Sequence, residues 1–589
     1  MGTRDSYRDS MYTLPSSPYV PYGPGAAGAR HSFAPSESGY SVLSSDKPLP
    51  VPGDQRGMQT TVAPTPMYLW DAKDPDLDDA LHNPDPVLDA RLDRSWTIAS
   101  LRGWLNMSML LLLIAALLML FIGYPALYFF GSRPTLHSGF NLGGINSTGQ
   151  VPDIPGTWQM IDPSTPADAM TRVGFDGQNY ALVFSDEFEV DGRTFYPGDD
   201  PYWEAVNLHY WATVDYEWYD PSAITTQDGK LVITMTEELI HNLNWKSGML
   251  QSWNKFCFTT GYIEVSVSLP GAGDVPGFWP GAWMMGNLGR AGYGATTEGV
   301  WPYTYDSCDL GTYPNQTNKD GTPLTDKTDG DQYNNFQLSY MPGQKLSACT
   351  CADSDHPGPS VSTGRGAPEI DILEGQVNVY ENQGTVSQSY QVAPFNDWYQ
   401  FDNTTTTLYQ QDPNTIYNGY KGGVYQQSVS AVSYVSNAHY NGTGYGTFGV
   451  EYWSNPSDRG EGYVTWVADG QRTWNMPAAA IAADPISLVS DRLVSEEPMS
   501  MVLNFGMSPG FQAQDFTRLQ FPARMYIDYV RVYQRTSVSG NPAYQSCDPP
   551  SYPTLDYINA HLNAYQNPNL TTWDAAGYTF PRNSKYDGC

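Results

Sequence analysis

The sequence predicts an all-β sandwich or jelly roll, carried behind one membrane-spanning helix and a disordered N-terminal tail. Three observations predict this. Residues 1–102 are rich in Ser, Pro, Gly, Tyr and Asp and show no apolar periodicity. Residues Trp104–Phe130 form a 27-residue run without a charge. From about Val173 onward, short alternating segments recur between Gly, Pro, Asn and Asp, with no long amphipathic helix among them.

The tail cannot bury enough apolar surface to offset its ordering entropy, so it reads as disordered, with a short juxtamembrane helix around Leu77–Trp96. The MGTRDS start matches the loose myristoylation pattern and is read as chance, because a spanning helix makes a lipid anchor unnecessary.

The apolar run exceeds the roughly 20 residues a helix needs to cross a bilayer. It starts too late for a cleaved signal peptide. Arg91, Arg94 and Arg102 precede it and Arg133 alone follows closely, which places the N-terminus in the cytoplasm. Two features agree. Outside the run, the N-glycosylation acceptors are Asn146, Asn315, Asn403, Asn441 and Asn569, all C-terminal to it. All six cysteines (Cys257, Cys308, Cys349, Cys351, Cys547 and Cys589) lie on that side too, where disulfides persist. The expected topology is a type II single-pass protein of the secretory pathway, in the endoplasmic reticulum, Golgi or plasma membrane, with a lumenal or extracellular domain. Six cysteines allow fifteen pairings. The expected set joins Cys547 to Cys589, and Cys308 to Cys349 or Cys351.

After a linker at 131–172, the sandwich is expected over 173–536, followed by a disulfide-stapled extension at 537–589. In GYIEVSVSL (261–269), Ile263, Val265, Val267 and Leu269 share one face, and Tyr262, Glu264, Ser266 and Ser268 the other. GKLVITM (229–235), TFGVEYW (447–453), GYVTWVADG (462–470), SMVLNFGM (500–507) and MYIDYVRVY (525–533) read as further strands, and AAAIAADP as a short helical exception. Residues 286–368 break the pattern. They are rich in Gly, Asp, Asn, Thr and Tyr, hold three cysteines and read as an insertion walling a cleft.

Charge excludes one class of partner. The chain after the tail holds 21 basic and 49 acidic residues, a deficit of 28, which no phosphate backbone would favour. Nucleic acid is therefore not expected. The 17 Trp and 42 Tyr suit stacking on sugar rings, although many must serve the core. Neither a cofactor nor a metal is expected.

The candidate chemistry lies in EIDILE (369–374). Retaining glycosidases need two carboxyl groups about 5–5.5 Å apart, one nucleophile and one acid/base. On a regular strand Glu369 and Asp371 share a face, but Glu374 at i+5 points away. A β-bulge near Ile372–Leu373 would return it. The backbones would still be roughly 13 Å apart, so the strand should line a concave sheet. Asp371 lies between the two Glu residues, and three close carboxyls cannot all ionise cheaply. The apolar residues Ile370, Ile372 and Leu373 argue against a merely solvated acidic edge.

These residues also carry a resemblance. EIDILEGQ (369–376) resembles the bulged catalytic signature of glycoside hydrolase family 16, the laminarinase-like enzymes. LVFSDEFEVDG (182–192), KFCFTTGYIEVSVSLPG (255–271), GFWPGAWMMG (277–286) and MYIDYVRVY (525–533) resemble that family's other strands, in its order, over roughly 175–535. With its membrane span, the whole chain resembles the fungal β-1,6-glucan biosynthesis-associated proteins. The resemblance implies a concanavalin-like β-sandwich jelly roll. It implies Glu369 as nucleophile, Asp371 as its assisting acid and Glu374 as acid/base. Trp279 and Trp283 match cleft tryptophans, and His439, Trp453, Trp466 and Asn504 are further candidates for binding substrate. The implied partners are β-glucan, the membrane and the cell-wall synthesis machinery. The implied activity is that of a retaining hydrolase or transglycosylase, and the alternative is a non-catalytic glucan-binding module. The long insertion departs from soluble family members and could narrow or block the groove.

Overall fold

The computed structural model describes residues 101–124, 159–323, 334–410 and 414–589. Residues 1–100 of the tail, with the expected helix over Leu77–Trp96, the end of the apolar run at 125–130, and Asn146 lie outside the described residues.

Among the described residues, the first unit holds one helix. It runs as an α-helix over Leu101–Leu118 and continues as a π turn over Met119–Gly123. Its 21-residue stretch Gly103–Gly123 is long and apolar enough to cross a bilayer. Its large side chains, from Trp104 to Ile122, are exposed.

The second unit is built on two facing β-sheets. Among the described residues, one sheet has twelve strands and the other ten. The ten-stranded sheet runs, in spatial order, Thr415–Tyr417, Gln426–Tyr434, Gln383–Val392, Glu369–Asn378, Trp279–Gly286, Met499–Gly506, Met249–Gln251 and Glu204–Ala205. EIDILE therefore opens a strand in the middle of this sheet, flanked on both sides. The twelve-stranded sheet is centred on Gly261–Ser268, between Gly446–Trp453 and Ala523–Arg535. Between the sheets lies one large core, to which Ile263, Val265 and Val267 contribute from one side and Ile370, Ile372, Leu373 and Leu503 from the other. Ala478–Ile481 forms only a 3-10 turn.

The strand at 261–268 alternates as its sequence predicts, but it is not half-exposed. Tyr262, Ser266 and Ser268 are also buried. The short strand Thr171–Val173 and the residues after it cover that second face. Arg172 lies 3.6 Å above the Tyr262 ring, and Phe175 meets Tyr262 edge-on. A covering segment distant in sequence cannot be read from the strand's own pattern.

The insertion has apolar clusters of its own. Leu288, Ala291, Ala295, Val300 and Leu346 pack with Tyr557, Ala564 and Trp573 of the C-terminal extension. Buried arginines weld the contact. Arg290 reaches Glu204 at 2.7 Å and the Tyr565 carbonyl at 2.6 Å. Arg365 grips Glu497 and the carbonyls of Gly358 and Pro553. The disulfides are Cys257–Cys547, Cys308–Cys349 and Cys351–Cys589. The expected Cys547–Cys589 bridge is thus corrected. The chain leaving Ala523–Arg535 returns past Thr259, whose amide donates to Tyr544, and this brings Cys547 to Cys257. The end of the chain instead lies on the insertion, where the Cys351 amide donates to Arg582.

Candidate active site

The strand Glu369–Asn378 holds its carboxyl groups together by one irregularity. Asp371 pairs with Ser389 and Glu374 with Ser387, so three residues on this strand span two on its neighbour. On the other side, Trp283 pairs with Asp371 and Ala282 with Leu373. The extra residue is the bulge expected near Ile372–Leu373, and it turns Glu374 back to the face of Glu369 and Asp371. A bulge leaves ladder groups without their usual partners. Here side chains fill them: Gln388 donates to the Ile372 carbonyl at 3.0 Å, and the Trp466 indole to the Asp371 carbonyl at 2.8 Å.

Around the three acids stands a ring of donors. Ser389 and Gln391 each donate to Asp371 Oδ2 at 2.9 Å. Trp279 Nε1 donates to Glu374 at 3.1 Å, and Trp301 Nε1 donates to Glu369 at 2.5 Å. Asp371 is 2 % exposed, whereas Glu369 and Glu374 are only half-buried. Both Glu residues therefore keep partial contact with solvent beside the insertion.

Burial lifts all three carboxyls above their ordinary range. Glu369 is raised further by the Asp371 carboxyl beside it and then by Glu374, while the Trp301 N–H opposes the rise. Glu374 is raised next by Asp371 and relieved by Trp279 and Ser389. Asp371 is relieved by Gln391 and Ser389. A carboxyl raised on folding binds more protons in the folded chain, so it favours folding below its unfolded value of about 4. That contribution is lost as pH rises through the folded value. Glu374→Gln should therefore raise the thermal midpoint at neutral pH and change it little near pH 4. A scan of melting temperature against pH checks this.

Of the sequence-predicted residues, the structure brings Glu369, Asp371, Glu374, Trp279, Trp283 and Asn504 together. Trp279 is stacked on Phe511, with ring centroids 4.4 Å apart. Trp283 donates to Asn504 at 2.9 Å, and Asn504 donates to the Tyr219 hydroxyl at 3.1 Å. Trp466 is not a wall of the site. It is fully buried against Trp474 and supports the bulge from the core. Trp453 ends a strand of the opposite sheet, with Arg535 3.6 Å above its ring. His439 lies in the turn Asn437–His439, 3.1 Å from Asp469, and its carbonyl accepts from Leu269 beside the opposite sheet. These last two therefore stand apart from the strand that carries the carboxyls, Trp453 in the opposite sheet and His439 in a turn beside it. Asn315, Asn403, Asn441 and Asn569 are all exposed.

Sequence reasoning missed Trp301, Ser389, Gln391, Phe511 and Tyr219. Trp301 sits inside the insertion, where only the fold reveals its reach. Ser389 and Gln391 alternate on the neighbouring strand, a signal usable only once the pairing is known.

Comparison with known proteins now decides the family. The family described as "Beta-glucan synthesis-associated protein SKN1/KRE6/Sbg1" matches residues 68–589. The chain belongs to this family. Among its SKN1/KRE6 relatives, the Saccharomyces cerevisiae "Beta-glucan synthesis-associated protein KRE6" is 45% identical over 516 residues, covering 86% of this chain and 68% of that protein. The Candida albicans "Beta-glucan synthesis-associated protein SKN1" is 42% identical over 532 residues, covering 88% and 67%. Among solved structures, the catalytic domain of an endo-1,3-beta-glucanase (laminarinase) from Thermotoga petrophila RKU-1 matches at 19% identity and a TM-score of 0.36. That match covers 61% of this chain and 99% of that one. The endo-beta-1,3-glucanase from Pyrococcus furiosus matches at 17% identity and a TM-score of 0.36, covering 63% and 98%.

Proposed function

We propose that this SKN1/KRE6 family member is a membrane-anchored, β-glucan-active retaining glycosidase or transglycosylase that acts in fungal cell-wall β-1,6-glucan biosynthesis. The observation that carries the reading is the bulged strand, which turns Glu369, Asp371 and Glu374 to one face between two indole donors. The family's association with β-glucan synthesis supplies the substrate class.

In this reading ionised Glu369 attacks the anomeric carbon, and the bond to the leaving oxygen breaks as Glu374 gives that oxygen its proton. Asp371 shares a hydrogen bond with Glu369 and so holds that carboxyl in place. In the second half, Glu374 takes a proton from an incoming hydroxyl, which displaces Glu369 and restores both groups. A sugar hydroxyl gives transfer and water gives hydrolysis. Transfer is the favoured outcome. The single helix anchors the chain as a type II protein, with the sandwich in the lumen or outside the cell. Exposed Asn315, Asn403, Asn441 and Asn569 then carry N-glycans.

Incubating the full chain in detergent with defined β-1,3- and β-1,6-gluco-oligosaccharides tests this. Shortened and lengthened products are expected. The absence of both, with oligosaccharide still bound, would instead favour a holding module in the synthesis machinery.

The same assay tests Trp301. Its N–H stabilises the charged form of Glu369, and a hydrogen bond to a charged group is worth about 1.5–3 kcal/mol. One pKa unit corresponds to about 1.4 kcal/mol. Trp301→Phe should therefore move the acid limb of kcat/KM up by about one pH unit. An unmoved limb would show that the indole does not tune the nucleophile.

A further inference from the structure

A second aromatic feature is linked through hydrogen bonds to the residues around the carboxyls. The 3-10 turn Trp211–Thr213 leaves Trp211 40 % exposed, and the next residue, Val214, is 45 % exposed. One exposed apolar side chain is ordinary. Here, however, two stand together and the backbone at the second is strained. Val214 adopts φ 59°, ψ 40°, a left-handed conformation that a β-branched residue rarely takes. Such strain persists only where surrounding contacts over-determine it, and it concentrates at functional sites.

The contacts are explicit. His209 Nε2 donates to the Asp215 carbonyl at 2.8 Å. The Thr213 hydroxyl donates to Asp215 Oδ1 at 2.7 Å, and the Ser508 hydroxyl donates to the Thr213 carbonyl. Asp215 and Ser508 each lead to one of the groove tryptophans. Asp215 accepts from Tyr219 at 3.1 Å, and Tyr219 holds Asn504, which holds Trp283. Ser508 accepts at its carbonyl from the amide of Phe511, on which Trp279 stacks. On a third side, a methyl group built on Gly294 would come within 2.8 Å of the Trp211 ring. Gly294 begins the helical turn whose last residue, Thr297, accepts from the amide of Trp301, and Trp301 touches Glu369. The turn that carries Trp211 is thus linked to the residues behind Trp279, Trp283 and Trp301, while the Trp211 side chain stays 40 % exposed.

We infer that Trp211, with Val214 beside it, is a stacking platform at the rim of the cleft for a neutral glucosyl ring of a β-glucan chain, beyond the units that touch the carboxyls. This rests on the reading of the cleft as a β-glucan site. A flat indole suits the C–H face of a pyranose, and neither Trp211 nor Val214 brings a charge that would select an ionic ligand. The platform is built jointly by the sandwich and by the insertion that carries Gly294. Its expected role is to favour long chains over short ones.

Binding separates the two readings. The full chain carrying Glu369→Gln is titrated with two-unit and eight-unit β-1,3- and β-1,6-gluco-oligosaccharides, so that the ligand is held and not consumed. Adding Trp211→Ala should lower the ratio of eight-unit to two-unit affinity about tenfold, and Trp211→Tyr should restore most of it. Oxidation of Trp211 by N-bromosuccinimide, read by mass spectrometry, should be suppressed by the eight-unit chain and not by the two-unit one. An unchanged affinity ratio, or equal oxidation with and without the long chain, overturns the platform. If the Glu369→Gln chain with Trp211 intact binds neither length, the glucan reading of the cleft fails first.

Discussion

Glu369→Gln is expected to lower turnover of β-gluco-oligosaccharides by at least about 10⁴-fold while the chain stays folded, the scale seen when a nucleophile is removed from a covalent mechanism. An amide cannot attack the anomeric carbon. It can keep the local geometry, because its carbonyl oxygen still accepts from the Trp301 indole that now donates to Glu369. It also removes a carboxyl whose protonation is raised by burial, then by Asp371 and Glu374. The thermal midpoint at neutral pH should therefore stay level or rise. Loss of activity together with a lower midpoint would point to a structural role. Normal turnover by the variant would sink the assignment of Glu369.

The second large effect concerns the scaffold. Arg365→Ala should destabilise the chain by about 3–5 kcal/mol, because removing one partner strands a buried charge. Arg365 and Glu497 form a bidentate pair at 2.8 Å on both arms, with side chains 0 % and 7 % exposed. The remaining guanidinium nitrogen donates to the Gly358 and Pro553 carbonyls, each at 2.8 Å. One side chain therefore ties the insertion, the C-terminal extension and the segment leading into Met499–Gly506 together. Denaturant unfolding with the disulfides intact measures the loss. A double change, Arg365→Met with Glu497→Leu, should recover much of it, since no carboxylate is then left unpaired. A loss below about 1 kcal/mol in the single variant would mean that water replaces the guanidinium.

Both predictions depend on features that were unequally legible. The EIDILE run marked three carboxyls as candidates from its own spacing. Its i+5 spacing demanded a bulge, because a period of two cannot place Glu369 and Glu374 on one face, and the register break between Asp371 and Glu374 supplies it. What caps the bulge was not legible. Gln388 and Trp466 reach it from a neighbouring strand and from the opposite sheet. The same distance in sequence hid Trp301, which approaches Glu369 across 68 residues. It also hid that Trp453 lies in the opposite sheet and His439 in a turn beside it, which no local pattern records. The cysteines obey this rule. Cys308–Cys349 closes a separation of 41 residues and was within reach, whereas Cys257–Cys547 spans 290.

By itself, the sequence determined the apolar span, the β class, the face of each strand and the carboxylates that must share a surface. These come from backbone geometry, which repeats every two residues in a strand and every 3.6 in a helix, so neighbours in the chain carry the information. Only the tertiary structure decided which strands pair, which cysteines meet, that Glu369 and Glu374 stay less buried than Asp371, and which indole steadies each of them. Those outcomes depend on contacts between distant segments that together bury the apolar core and satisfy its polar groups. No stretch of sequence specifies such contacts alone.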